Sequence, residues 1–201
     1  MKRLILSLAL ILTAHAADTR KVLLVFGDSI TAGYGLPQGQ SYPSVMQRTI
    51  DAEKLPYRVV NQGVSGDTTA GGAARALSAT RLKPSIVLLE LGGNDGLRGL
   101  PLKSTQANIE KMIVVFQSVG AQVVLAGMTL PPNYGPDYVK GFEQVFKDVA
   151  KKYKLKLIPF LLSDMITKDL RYFQEDGIHP TKEGAEIVAT TALKTLRPLL
   201  H

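Results

Sequence analysis

Val22-Leu23-Leu24-Val25-Phe26-Gly27-Asp28-Ser29 is the stretch that decides the fold. Five apolar residues stand together without polar alternation, the pattern of a strand covered on both faces. Strands of this kind belong to parallel sheets flanked by helices. The run then breaks into a glycine, a carboxylate and a hydroxyl, residues that favour a tight turn. Open parallel sheets bind ligands outside the carboxyl ends of their strands, so this turn lies where chemistry is expected.

Four further apolar runs follow, at Arg58–Val60, Ile86–Leu91, Val123–Met128 and Leu155–Pro159. Between them Ser44–Glu53, Thr69–Leu82, Thr105–Val119 and Tyr138–Tyr153 read as helices, and Lys182–Leu199 is the last helix, ending near Pro198. In Thr105–Val119 the apolar Ile109, Met112, Ile113 and Phe116 fall on one helical stripe. Strand and helix alternate throughout, which predicts an α/β fold with a five-stranded parallel sheet and right-handed crossovers. No internal repeat, low-complexity segment or linker interrupts the pattern, so residues 17–201 read as one domain. Asn61 and Gly63 follow the second run, and Gly92-Gly93-Asn94-Asp95 follows the third. Three polar, glycine-bearing loops are therefore expected at one edge of the sheet.

The chain has 201 residues, 45% hydrophobic and 20% charged, a globular composition with a formal charge of +7. The run Lys151, Lys152, Lys154, Lys156 has no interleaved aromatic residue to stack bases, so it reads as a solvated helix end and no nucleic-acid partner is expected. Residues 1–16 read as a signal peptide: Lys2 and Arg3 form the positive start, Leu4–Leu12 the apolar core and Ala14-His15-Ala16 the cleavage pattern. The mature protein is expected to begin at Ala17, outside the inner membrane in the periplasm or secreted. The apolar stretch falls short of the roughly 20 residues that span a bilayer, so no stable membrane anchor is expected. With no cysteine, disulfides, thiolate metal sites and a cysteine nucleophile are excluded. No exposed apolar segment stands out, which favours a monomer.

Histidine is scarce. His15 lies in the leader and His201 is the last residue, so His179 is the one internal imidazole of the expected mature chain. It sits in Asp176-Gly177-Ile178-His179-Pro180. A serine hydroxyl needs a base to become a nucleophile, and the base needs a group that fixes its tautomer. Ser29, His179 and Asp176 supply the three parts. At a spacing of three, the Asp176 carboxylate can reach Nδ1 and leave Nε2 free, with Pro180 expected to start the last helix. Acyl transfer also needs donors for the developing oxyanion. The Ser29 amide, the Gly66 amide and the Asn94 side chain are the candidates.

At this point the chain resembles a known family. Gly27-Asp28-Ser29, Gly66, Gly92-Gly93-Asn94-Asp95 and Asp176–Pro180 match, in order, four sequence blocks of the SGNH, or GDSL, hydrolases. Within it the chain is similar to the periplasmic thioesterase I / protease I / lysophospholipase group and related arylesterases, through Leu89–Gly99 and Leu130-Pro131-Pro132-Asn133-Tyr134-Gly135 as well. The resemblance covers residues 22 to 199; Ile30 stands where the motif has leucine. It implies a flavodoxin-like three-layer α/β/α sandwich. It implies Ser29 as nucleophile, His179 as base and acid, Asp176 as orienting carboxylate, and an oxyanion hole from Ser29, Gly66 and Asn94. Asp28 would brace the nucleophile loop, with Gly27, Gly93 and Asp95 supporting. Leu130, Pro131, Asn133 and Tyr134 would help bind an acyl chain. The expected substrate is an acyl ester, thioester or lysophospholipid, hydrolysed through an acyl-enzyme without metal or organic cofactor.

Other classes fit less well. Gly63-Val64-Ser65-Gly66-Asp67 fails the nucleophile-elbow pattern at its last position. Gly33-Tyr34-Gly35 with Gly39 has the wrong spacing for a dinucleotide loop, and no phosphate-loop motif occurs. A carbohydrate or peptidoglycan O-deacetylase is the alternative within hydrolases, weakened by the absence of tryptophan. A non-catalytic exported binding protein would be favoured only if Ser29, Asp176 or His179 were missing.

Overall fold

The computed structural model describes residues 18–201; the expected leader, 1–16, and the expected start at Ala17 lie outside the described residues. The elements run β1 (Lys21–Gly27), α1 (Ser29–Ala32), α2 (Tyr42–Ala52), β2 (Tyr57–Gly63), α3 (Thr69–Ala79), β3 (Pro84–Glu90), α4 (Gly93–Leu97), α5 (Leu102–Gln117), β4 (Gln122–Ala126), α6 (Pro136–Lys152), β5 (Lys156–Ile158), α7 (Ser163–Ile166) and α8 (Lys182–Leu196). The strands form one sheet in the order β2-β1-β3-β4-β5, parallel at every pairing.

Alternate side chains of the central strands feed two cores. Leu24, Phe26, Val87, Leu89 and Leu125 pack under α3, α5 and α6. Leu23, Val25, Ile86, Leu88 and Val124 pack under α2, α7 and α8. Helices thus cover both faces, which is why these strands read as continuous apolar runs. The stripe Ile109, Met112, Ile113, Phe116 is fully buried, as its spacing requires. Truncating one such side chain to alanine costs about 2–5 kcal/mol.

The strand order reverses direction between β1 and β3, because the chain leaves β1 for the edge strand β2 and returns to the other side. Loops after β1 and β3 therefore diverge and open a crevice at their carboxyl ends. Gly27-Asp28-Ser29 and Gly92-Gly93-Asn94 occupy that crevice.

Two expectations are corrected. Pro180 does not start the last helix: α8 begins at Lys182, and Thr181 caps it by accepting from the Gly184 amide at 3.2 Å. Pro180 instead bridges to Phe173. The second strand is longer than Arg58–Val60, because β2 is an edge strand whose Asn61–Gly63 end pairs with β1 through backbone alone.

Candidate active site

Ser29 is the first residue of α1, directly after the buried N-cap Asp28. The Asp28 carboxylate accepts from the Ile30 amide at 3.0 Å and so holds the turn closed. Burial pushes the Asp28 pKa up to about 6, against the downward pull of the Ile30 amide. Ser29 Oγ stands 2.8 Å from His179 Nε2, and His179 Nδ1 stands 2.7 Å from Asp176 Oδ2. An ionised carboxylate only accepts, so Nδ1 carries the proton and Nε2 is left to accept from Ser29.

Asp176 shapes its own loop. Its Oδ1 accepts from the amides of Ile178 at 2.9 Å and His179 at 3.0 Å, which points Oδ2 at the imidazole. Burial pushes this carboxyl up, but the His179 amide, the imidazole and the Ile178 amide outweigh it and hold the carboxyl below its usual range. Gln174 ties the loop down. Its amide donates to the His179 carbonyl at 2.7 Å, and its side chain donates to Tyr34 O at 2.7 Å and Pro180 O at 2.9 Å. The exposed Tyr34 ring lies against the imidazole, centroids 4.6 Å apart.

The oxyanion candidates meet around Asn94. Its Nδ2 donates to Asp67 O at 2.9 Å and stands 3.4 Å from Asp28 Oδ2, so the amide sits between the neighbours of Gly66 and Ser29. The Ser29 and Gly66 amides have no hydrogen-bond partner among the described residues. Gly66 has φ +79°, a conformation that glycine adopts without strain.

Arg75 locks these loops together. It donates to Asp67 Oδ2 at 2.8 Å, Gln62 O at 2.9 Å and Gly27 O at 2.9 Å, and its guanidinium lies 3.8 Å from the Phe26 ring centroid. Arg98 donates to Gly66 O at 3.1 Å. Asp95 takes a different post: it accepts from the amide and hydroxyl of Thr69 and fastens the start of α3. Gly93 opens α4, and a side-chain carbon there would touch Asp28 at 3.4 Å, an ordinary contact.

An apolar cavity of about 350 Å³ opens beside the serine. Ile30, Leu130, Pro131, Leu161, Phe173 and Ile178 contribute to its wall. Ile30 adjoins Ser29 and Ile178 adjoins His179, so the relay stands at the cavity's edge. Asn133 and Tyr134 do not line it. Asn133 is exposed, and the Tyr134 hydroxyl donates to Leu97 O at 2.9 Å. Among the described residues no group of three or more His, Cys, Asp and Glu side chains could hold a metal ion.

Arg75, Gln174, Thr31 and Glu90 escape a reading of motifs. Glu90 alone carried a signal, an acid inside an otherwise apolar strand run.

Comparison with known proteins shows the family and the fold. Residues 25–187 match the model of the GDSL-like Lipase/Acylhydrolase family. The chain is 43% identical over 204 residues to "Esterase TesA" of Pseudomonas aeruginosa, covering 100% of both chains. It is 34% identical over 189 residues to "Thioesterase 1/protease 1/lysophospholipase L1" of Escherichia coli, covering 94% of this chain and 88% of that one. A crystal structure of TesA matches with a TM-score of 0.85 at 42% identity, covering 90% of this chain and 100% of the other.

Proposed function

Because the chain belongs to the GDSL-like lipase/acylhydrolase family and is a carboxylic ester hydrolase, we propose that it cleaves acyl esters through a Ser29 acyl-enzyme, with His179 as base and acid and Asp176 as its orienting group. Ser29 Oγ attacks the carbonyl carbon while His179 Nε2 takes its proton. The oxyanion is received by the Ser29 and Gly66 amides and the Asn94 side chain. His179 returns the proton to the departing alcohol or thiol. Water, deprotonated by His179, then releases the acid and frees Ser29. The observation that carries the reading is the unbroken relay, 2.8 Å and 2.7 Å, at the edge of an apolar cavity.

The same cavity supports an acyl chain longer than acetyl as substrate. Its volume falls within the range of about 300–1,000 Å³ common to small-molecule pockets. An apolar wall gains from each buried methylene, about 0.8 kcal/mol. That favours lipid-like esters, thioesters or lysophospholipids over sugar O-acetyl groups. The name of the Escherichia coli relative points the same way. The leader read at residues 1–16 supports action outside the inner membrane by a chain starting at Ala17.

The test is hydrolysis of p-nitrophenyl esters from acetyl to palmitoyl by protein starting at Ala17, beside Ser29→Ala. The expected result is an optimum at medium or long chains and a loss of at least about 10,000-fold in kcat for Ser29→Ala. Activity on acetyl alone would favour the deacetylase reading. Unchanged turnover by Ser29→Ala would overturn the assignment of the nucleophile.

A further inference from the structure

Glu90 has no part in the steps above, yet it lies against the nucleophile loop. It is the last residue of β3, 2% exposed, and its register partner across the sheet is Gly27. Its Oε2 accepts from the Thr31 hydroxyl at 2.7 Å and stands 3.4 Å from the Asp28 amide. Tyr42 of α2 has its hydroxyl 2.9 Å from Thr31 Oγ1. Thr31 gives its one proton to Glu90, so Tyr42 donates to Thr31. A buried line therefore runs from Tyr42 through Thr31 to Glu90, against the turn that carries Ser29. Gly27 makes room for it, because a Cβ there would overlap both the Thr31 hydroxyl and the Glu90 carboxyl.

No cation answers this carboxyl among the described residues. Asp28 faces it from the nucleophile loop and Tyr42 from α2, while Arg75 holds the Gly27 carbonyl from the other face of the sheet. Glu90 also borders the apolar cavity. An unpaired buried carboxylate is so costly that such a group takes up a proton instead. Burial, and next the charge of Asp28, push Glu90 well above the usual carboxylate range.

We propose that Glu90 is a positioning residue for the nucleophile: as acceptor for the Thr31 hydroxyl, and close to the Asp28 amide, it fixes the first turn of α1 and with it the alignment of Ser29 with His179. The inference rests on Ser29 being the nucleophile. It predicts that a neutral isostere that keeps the acceptor oxygen works in place of the acid.

The experiment measures kcat and KM by pH-stat at neutral pH for wild type, Glu90→Gln and Thr31→Val. Glu90→Gln is expected to keep at least about a tenth of wild-type kcat at neutral pH. Thr31→Val, which removes the hydroxyl at nearly constant volume, is expected to lower kcat at least about fivefold with KM changed less than about twofold. The rate at which an organophosphonate labels Ser29 should fall with kcat. A folded Glu90→Gln that keeps less than that tenth would overturn the proposal. Unchanged Ser29 labelling in Thr31→Val would do the same. Full activity in a Ser29→Ala control would instead remove the nucleophile assignment, and this inference with it.

Discussion

Ser29 stands on a turn fixed to the sheet by buried groups, whereas Asp176 and His179 stand on a loop fixed chiefly by itself. The first turn is roofed by Asp28, braced by Glu90 and Thr31, and tied through Gly27 O to Arg75. The second takes its shape from Asp176 accepting its own loop amides, with Gln174 as its tether to Tyr34. Asp176 is 37% exposed at the side chain, while Asp28 is 3% exposed as a residue. The difference teaches that one relay can join a serine braced by buried groups to an imidazole on a locally folded loop. Damage to the first side should cost stability and activity together. Damage to the second should cost chiefly activity.

Asp176→Asn offers the largest effect that breaks this pairing. Asparagine can still accept from the amides of Ile178 and His179, so the loop keeps its shape. Its amide would donate to Nδ1 and place the imidazole proton on Nε2, facing Ser29. We expect kcat to fall about 100- to 10,000-fold, with stability changed by less than about 1 kcal/mol. Steady-state kinetics and urea unfolding on one preparation check both. A large loss of stability would mean that the loop is not self-supporting.

Arg75→Ala probes the other side. It removes three hydrogen bonds and leaves Asp67 and two carbonyls without their partner. A fully buried pair would cost about 3–5 kcal/mol. With side chains 22% and 10% exposed, solvent screening lowers the expectation to about 2–3 kcal/mol. Both the Ser29 and Gly66 loops should loosen, so kcat should fall with the urea midpoint. A lower midpoint with unchanged kcat would show that the lock serves the fold alone.

The smallest effect sharpens the comparison through pH. Asp28 binds its proton more tightly folded than unfolded, so stability falls as pH rises from the ordinary carboxylate pKa, about 4, to its folded value of about 6. Glu90 acts with the same sign and extends the fall to higher pH. Asp176 is the reverse: its contribution is present above the ordinary carboxylate pKa and is lost as pH falls toward its lowered folded value. Subtracting urea midpoints of Asp28→Asn from wild type between about pH 4 and about pH 6 should give a difference that falls with pH, and the same subtraction for Asp176→Asn below about pH 4 one that rises with pH. Slopes of one sign would contradict the assignment of the two environments.

Much of the scaffold was legible because buried parallel strands announce themselves by uninterrupted apolar runs. Val22–Phe26 and Ile86–Leu91 located β1 and β3, and the polar residues after them located Ser29 and Asn94 at one edge. The spacing of Asp176 and His179 anticipated their contact. Edge strand β2 is less legible than β1 or β3 because backbone pairing leaves no trace in side-chain hydrophobicity. One-turn helices such as α1, α4 and α7 are too short for periodicity. The network of Tyr42, Thr31 and Glu90 joins three segments far apart in the chain, so no local pattern reveals it. Thr181 displaced Pro180 at the start of α8 because its hydroxyl satisfies an amide that proline cannot reach.

The central claim is that Ser29, deprotonated by His179, is the group that attacks the substrate. The measurement that tests it most directly is intact-mass and peptide mapping of the protein after organophosphonate treatment, followed against residual esterase activity. One adduct per chain on Ser29, appearing in step with the loss of activity and at least about 100-fold more slowly in His179→Ala, is the predicted result. An adduct on another residue, or activity that survives complete modification of Ser29, would contradict the account.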